Sequence, residues 1–275
     1  MADITVMDLA ELGVEIPPTE DELPYDDGMP MESHRHVLQM QLLMDPLRLF
    51  WQERPDGFVG GNMFVYFSLE QVRHQDFRGP DVFVVLGVPK RERKSWVVWQ
   101  EGKGPDVVIE LLSASTAAQD KGVKKDVYQN RLRVPEYFWF DPFSGELAGF
   151  ALREGVYAPL TEDAQERLIS RQLDLALVHW EGVYQDVLAR WLRWATLEGA
   201  LLPTPQEEAE RSQRQATEAQ RQATEAQRQA TEAQRQATEA QRQATEAQRQ
   251  VEAMEALLAR YRERFGDLSQ ADPQH

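Results

Sequence analysis

The sequence contains no cysteine, which excludes disulfide bonds and thiolate metal sites. It also lacks any apolar run near the ~18 residues that a membrane-spanning helix needs. No basic residue precedes Arg35, and the residues before it do not show the apolar segment of a signal peptide. We therefore expect a cytoplasmic protein that has no membrane partner.

Aromatic residues are absent between Gln206 and Gln250, whereas all seven tryptophans lie within residues 1–205. This contrast predicts a globular domain followed by an elongated segment. Pro17-Pro18 and the run from Asp26 to Gly28 interrupt regular structure near the N-terminus. Four regions are expected: an acidic, loosely ordered arm (1–30), a globular domain (31–205), a heptad-repeat coiled coil (206–265) and a disordered tail (266–275).

Positive charge is scarce overall, because the chain carries a formal net charge of −16. The excess is local: residues 1–34 hold ten acids and no lysine or arginine, and the remaining chain carries only about −6. Basic residues cluster at positions 90–94 and 121–133. Neutralising phosphates drives nucleic-acid binding, so the total charge does not exclude such a ligand. The alternative is that both clusters are solvated surfaces.

Apolar periodicity predicts an α/β fold with a mixed sheet flanked by helices. Two helices are expected, at Glu32–Arg54 and at Ala117–Leu132, the second with Val123 and Val127 facing inward. Val107–Leu112 is an apolar run typical of a strand buried on both faces. The other predicted strands are Phe58–Val59, Met63–Phe67, Val82–Val88, Trp96–Trp99, Glu136–Phe140, Leu147–Leu152 and Val156–Leu160. Val82–Val88 and Trp96–Trp99 are expected to form a hairpin, as are Leu147–Leu152 and Val156–Leu160. Asp186–Trp194 is expected to close the domain as a short amphipathic segment.

Glu110 is an ionisable residue inside this apolar strand, so it needs a partner or a bound metal. Asp81, at the start of the Val82–Val88 strand, is the candidate partner, and we expect both carboxylates at the same end of adjacent strands. Oxygen ligands of this kind suit Mg²⁺ or Mn²⁺. The alternative is a structural carboxylate that other residues satisfy.

A cation beside such a site would stabilise developing charge. Lys124 and Lys125 both lie on the helix after the Glu110 strand, but only one can face the sheet. Lys124 shares a helix face with Tyr128 and Asp120 and is the predicted choice, with Lys125 in solvent. Glu32 and His36 are also four apart and offer a further carboxylate and imidazole, or else His36 is a packing residue.

Four strings of the sequence resemble the Uma-type restriction endonucleases, a branch of the PD-(D/E)XK nuclease superfamily. They are Gly79–Val82, Pro105–Ser113, Asp120–Lys124 with Tyr128, and Val134–Tyr137. The resemblance implies a restriction-endonuclease-like fold and metal-dependent hydrolysis of DNA, with Asp81, Glu110 and Lys124 as catalytic residues. Glu32 and Tyr128, from their helix positions, complete the predicted catalytic set. Asp81 and Glu110 would hold the metal.

This chain departs from the motif at one position. Leu112 stands where the motif has its lysine, so the resemblance implies that Lys124 supplies it from the next helix. Asp106 is a rival first acid, but four residues of extended strand separate it from Glu110 by about 13 Å. If no lysine reaches the metal, the chain would be an inactive nucleic-acid binder. A third alternative is an interaction protein whose coiled coil is the working part.

The heptad Arg-Gln-Ala-Thr-Glu-Ala-Gln repeats five times between Arg214 and Gln248. Placing Ala216 at position a and Ala219 at position d continues the register through Val251, Met254, Leu258, Tyr261 and Phe265. Sustained apolar a and d positions indicate a coiled coil. We therefore predict a homodimer, with a monomeric helical spacer as the alternative.

Overall fold

The computed structural model describes residues 17–25, 33–68, 77–113 and 115–266, without the side chain of Phe265. The chain divides into two compact units, Met1–Glu208 and Ala209–His275. Glu32 and nearly all of the predicted tail lie outside the described residues. In the described part of the chain, no helix is both long and apolar enough to cross a membrane.

A six-stranded mixed sheet forms the centre of the first unit. Its strands are β1 (Asp56–Gly60), β4 (Val82–Pro89), β6 (Val107–Leu111), β7 (Glu136–Phe140), β8 (Leu147–Arg153) and β9 (Val156–Pro159), in the order β1-β4-β6-β7-β8-β9. Only the β6–β7 pair is parallel. The predicted mixed sheet, the buried strand at β6 and the β8–β9 hairpin are confirmed.

One face of this sheet is covered by helix α1 (His34–Phe50) and by a second antiparallel sheet. That sheet contains β10 (Leu168–Ser170), β11 (Leu175–Tyr184) and β12 (Val187–Thr196). Alternate residues of the main sheet, including Val107, Ile109 and Leu111, pack into this core. The sequence patterns did not predict β10 or β11, and the Asp186–Trp194 segment is largely strand β12.

The other face is covered by a helical segment over residues 117–132, named α3. It alternates between α-helical turns (Ala117–Gln119, Lys125–Val127) and π-helical turns (Asp120–Lys124, Tyr128–Leu132). The prediction that Val123 faces inward was wrong, because its side chain is 62% exposed. Asp120 and Tyr128 are the buried residues of α3. The face turned to the sheet is therefore partly polar.

A small third sheet corrects the expected hairpin between Val82–Val88 and Trp96–Trp99. Strand β2 (Val65–Tyr66) pairs with β3 (Phe77–Arg78) and, in parallel, with β5 (Trp96–Val97). Residues Val98–Glu101 continue from β5 as the short helix α2. The connection after β4 therefore joins two different sheets, because β5 finds its partner in a strand that is distant in sequence.

The described part of the N-terminal arm packs against this third sheet, which corrects the expectation of a loosely ordered segment. Leu23 is buried with Phe64, Tyr66 and Val97. Trp99 Nε1 donates to the Pro18 carbonyl at 2.9 Å, and Glu20 forms an ion pair with Arg91 at 2.8 Å. In the described part of the arm, Glu20 and Asp21 thus pair with Arg91 and Lys94 of the basic 90–94 cluster.

The second unit is helical. Helix α4 (Pro205–Phe265) begins after Thr204, whose Oγ1 accepts from the Glu207 amide while the Glu207 carboxylate accepts from the Thr204 amide. This reciprocal pair is a capping box, which satisfies backbone groups that a helix start leaves without partners. The heptad segment is helical as predicted, whereas its pairing with a second chain stays a prediction.

Candidate active site

Two carboxyl groups meet at one edge of the main sheet. Asp81 directly precedes β4, and Val82 lies opposite Ile109 in the antiparallel β4–β6 ladder. In an antiparallel pair, the start of one strand lies beside the end of its neighbour. Asp81, just before β4, therefore lies beside Glu110, which is near the end of β6. The Leu111 amide donates to Asp81 Oδ2 at 2.7 Å, and the Asp81 and Glu110 carboxyls are close enough that the charge of Asp81 raises the pKa of Glu110. The structure thus brings together the two acids that the sequence singled out.

Glu110 is fully buried on the face of β6 that α3 covers. Strand alternation places it on the same side as Val108, away from the core that contains Ile109 and Leu111. Tyr128 Oη donates to Glu110 Oε1 at 2.6 Å, and Lys124 Nζ donates to Oε2 at 3.1 Å. Both oxygens of the carboxyl group are therefore held by residues of α3.

Asp120 lies at this site, although the sequence analysis assigned it no role. Its side chain is 1% exposed, and Lys124 Nζ lies 2.7 Å from its Oδ1. Within the described residues, neither Asp120 oxygen makes an aligned hydrogen bond, so the contact is an ion pair. The available signal was its spacing, since Asp120 stands four residues before Lys124 and eight before Tyr128.

Burial and neighbouring charges shift the pKa values of Asp81, Glu110 and Lys124. Desolvation raises the pKa of Asp81 to about 6 and that of Glu110 to about 8, although Lys124 opposes both shifts. Burial by itself lowers the pKa of Lys124, but the Glu110 and Asp120 carboxylates raise it above its ordinary value. The site therefore holds more negative charge than one ammonium group neutralises, which favours an additional cation.

The donor set fits a hard divalent cation. Asp81 and Glu110 offer carboxylate oxygens, the ligand type that Mg²⁺ and Mn²⁺ prefer. Among the described side chains, no group of three or more acids or histidines is already arranged around a common point. Two protein carboxylates completed by water and substrate oxygens is the usual pattern for Mg²⁺.

His36 joins helix α1 to this edge of the sheet. It is 3% exposed, and its Nε2 lies 3.1 Å from the Leu112 carbonyl oxygen. Because a carbonyl only accepts, Nε2 carries the proton and Nδ1 accepts from Ser33 Oγ at 2.8 Å. His36 is thus a buried packing residue next to the site, in line with the second of its two interpretations.

Asp106 and Lys125, the alternatives to Asp81 and Lys124, form their contacts with other residues. Asp106 pairs with Lys103 at 2.8 Å and accepts from the Leu86 amide at 2.6 Å, so it fastens the start of β6. Lys125 does not lie in open solvent as expected: its Nζ lies 3.5 Å from the centroid of the Phe150 ring. Of the two lysines, Lys124 is the one that contacts the carboxylates.

Cations and an exposed ring flank the site. Lys121 lies over the Trp139 ring at 4.2 Å, and Trp139 is the β7 neighbour of Glu110. Arg35, next to His36, lies over the Phe143 ring, which is 61% exposed.

A comparison with family models identifies the family of this chain. The model of the Uma2 family, described as "Putative restriction endonuclease", matches residues 14–181. The chain belongs to this family, and the match includes every site residue named above. One solved structure, titled as a "putative nuclease belonging to DUF820" from Anabaena variabilis, is 15% identical with a TM-score of 0.40 and covers 57% of this chain and 91% of that one. No curated protein matches the chain.

Proposed function

We propose that this chain is a Mg²⁺- or Mn²⁺-dependent endonuclease that hydrolyses phosphodiester bonds of DNA. The observation that carries the proposal is the fully buried Glu110 beside the partly buried Asp81, with Lys124 Nζ 3.1 Å from Glu110. Buried like charges are costly and are typical of functional sites. Family membership supplies the nuclease class, whereas the metal and the DNA substrate are parts of the proposal.

Each residue of the site has a different role in the proposed reaction. Asp81 and Glu110 hold the cation, which when bound polarises the scissile phosphate and makes a water molecule more acidic. Lys124 keeps a positive charge at the edge of the site, where negative charge develops on the phosphate. Tyr128 and the Leu111 amide hold the two carboxyl groups in place through the hydrogen bonds at 2.6 and 2.7 Å.

DNA is the favoured polyanion because the chain belongs to a family described as "Putative restriction endonuclease", and because Lys121 and Arg35 lie next to site residues in the sequence. Lys121 and Arg35 can contact phosphates on either side of the scissile bond. The whole-chain charge of −16 does not oppose this, since ten of the acids lie within residues 1–34.

A plasmid-nicking assay with and without Mg²⁺ or Mn²⁺ tests the proposal. We expect divalent-dependent nicking by the natural chain, and its loss in Asp81→Asn and Glu110→Gln, which keep the size of each side chain. Asp126→Asn is the matched control, because Asp126 is an exposed acid on α3. Full activity in both site variants would contradict the assignment. DNA binding without cleavage by the natural chain would instead indicate the inactive binder.

We further propose that a second copy of the chain pairs with α4. Val251, Met254 and Leu258 are at least half exposed although they occupy successive a and d positions. Burying such a side chain contributes roughly 1.5–3 kcal/mol, against about 0.8 kcal/mol for an alanine methyl. The few large residues therefore provide most of the association energy. A homodimer also suits a nuclease, because cleaving both strands of a duplex needs two active sites.

A further inference from the structure

Lys124 is the only cation whose ammonium group contacts both buried acids of the site in the described structure. Its Nζ lies 3.1 Å from Glu110 Oε2 and 2.7 Å from Asp120 Oδ1. The first contact is a hydrogen bond, and the second is the closer ion pair. Two acids thus share one ammonium group, although the proposed chemistry requires only one of them.

The two contacts respond differently to a divalent cation. If Asp81 and Glu110 hold the metal, as proposed above, the negative charge of Glu110 interacts mainly with the metal and less with Lys124. A metal ion carrying two charges then repels the nearby ammonium group. A mostly buried lysine that loses its partner leaves for solvent or loses its proton, because an unpaired charge is costly to bury. Lys124 therefore needs a second anion that does not bind the metal.

We propose that Asp120 is a positioning residue that keeps Lys124 at the active site while the metal occupies Asp81 and Glu110. This inference rests on the proposed function and adds a role for a residue outside the metal-binding pair. Asp120 acts through Lys124, and it touches neither the metal nor the substrate.

The surroundings of Asp120 suit this role. Its backbone carbonyl accepts from Tyr137 Oη at 2.8 Å, which fastens this turn of α3 to strand β7. Asp120 is 1% exposed, so solvent does not weaken its attraction for Lys124. A purely structural ion pair between residues four apart would not need burial, since such pairs form equally on exposed helix surfaces.

Amine labelling measures the position of Lys124 without relying on catalysis. The natural chain and Asp120→Asn are treated with an amine-reactive reagent, with and without Mg²⁺, and the modified fraction of Lys124 is read by peptide mass spectrometry. Lys121 is the internal reference, because its ion pair is with the exposed Glu146 and not with an acid of the site. We expect slow labelling of Lys124 in the natural chain under both conditions.

Asp120→Asn should show slow labelling without Mg²⁺, because Glu110 still holds Lys124. With Mg²⁺ its labelling should rise several-fold, whereas the Asp126→Asn control should follow the natural chain. Slow labelling of Asp120→Asn with Mg²⁺ would overturn the inference. Equally fast labelling with and without Mg²⁺ would also overturn it, since Asp120 would then be a general structural support.

Cleavage rates provide a second readout. Loss of a residue that orients an active-site group typically costs about 10- to 100-fold, so we expect kcat of Asp120→Asn to fall by this factor with little change in KM for DNA. Asp120→Asn combined with Lys124→Met should be no slower than Lys124→Met alone, and additive losses would refute action through Lys124. If calorimetry finds no Mg²⁺ binding to the natural chain, the proposed function itself fails, and this inference fails with it.

Discussion

At the scale of single residues, burying the ionisable groups of the site is electrostatically unfavourable for folding. Glu110 and Asp120 are both at most 1% exposed, and Lys124 is the ammonium group between them. Ionised carboxylates are rarely buried without compensation. We therefore expect this arrangement to lower the free energy of unfolding of the metal-free protein, and the proposed cation to raise it when bound.

This cost predicts how stability depends on pH. Burial raises the pKa of Glu110 from 4.5 to about 8, so between these values the folded chain binds more protons than the unfolded chain. The free energy of unfolding of the metal-free protein should therefore fall as pH rises through this window. Asp81, with its pKa raised to about 6, contributes in the same direction.

Glu110→Gln should remove most of this dependence because glutamine does not ionise. We expect the variant to be more stable than the natural chain by about 1–3 kcal/mol near pH 8 and similar to it near pH 5. Denaturant titrations in chelator at several pH values measure the difference. An identical pH slope in both proteins would show that Glu110 is not protonated in the folded state.

The two neighbouring lysines should differ sharply in function. Lys124→Met should reduce divalent-dependent nicking by about 10²-fold or more, as expected for loss of a group that stabilises transition-state charge. Lys125→Met should stay near natural activity, because Lys125 lies over the Phe150 ring and contacts neither carboxylate. Circular dichroism confirms that both variants fold. A folded Lys124→Met protein that cuts normally would exclude Lys124 from the reaction.

At the scale of elements, the alternation of α-helical and π-helical turns in α3 explains why three polar residues lie on one face of the helix. An α-helix has 3.6 residues per turn, so positions four apart drift around the axis. The π-helical turns at Asp120–Lys124 and Tyr128–Leu132 contain more residues per turn and offset this drift. Asp120, Lys124 and Tyr128 therefore stay on the face turned to the sheet, and Val123 points outward.

Gly122 offers a test of α3 that does not touch the site. A Cβ at this position would meet no atom within 4 Å, and the backbone does not adopt a left-handed conformation. Gly122→Ala should therefore stabilise the protein by about 0.5–1 kcal/mol, because alanine loses less conformational freedom on folding. Denaturant unfolding measures the gain, and nicking should not change. A loss of stability would mean that α3 needs the flexibility of glycine here.

At the scale of the whole molecule, the second unit is expected to determine the oligomeric state. Its described apolar side chains are concentrated in the last two heptads, where Val251, Met254 and Leu258 are exposed. The five preceding repeats present only alanine at a and d. Because an alanine seam buries little area, its contribution to association is small.

Truncation after Gln250 should therefore yield a monomer, whereas the full chain should be a dimer by light scattering. The shortened protein should keep a helical tail by circular dichroism. Met254→Glu with Leu258→Glu should have the same effect as truncation, and Glu239→Gln with Glu246→Gln is the control on the outward c positions. A full-length chain that stays monomeric at high micromolar concentration would contradict the proposed dimer and favour the helical spacer.

The sequence by itself determined the features that depend on local periodicity and composition. The heptads specify a continuous helix, and the apolar run around Glu110 specifies a buried strand whose one acid needs a partner. Asp81 was identifiable as a candidate because it stands at the head of the predicted Val82–Val88 strand. Each of these features is carried by residues close together in the chain, so the pattern alone contains the information.

Only the tertiary structure decided which distant elements meet. The pairing of β5 with β2, the docking of Leu23 on the third sheet and the strands β10 and β11 all depend on partners remote in sequence. The membership of Asp120 in the site was decided in the same way. A carboxylate on a helix surface and one buried against a sheet have the same local sequence pattern. They differ only in what packs above them, and packing is a property of the folded chain.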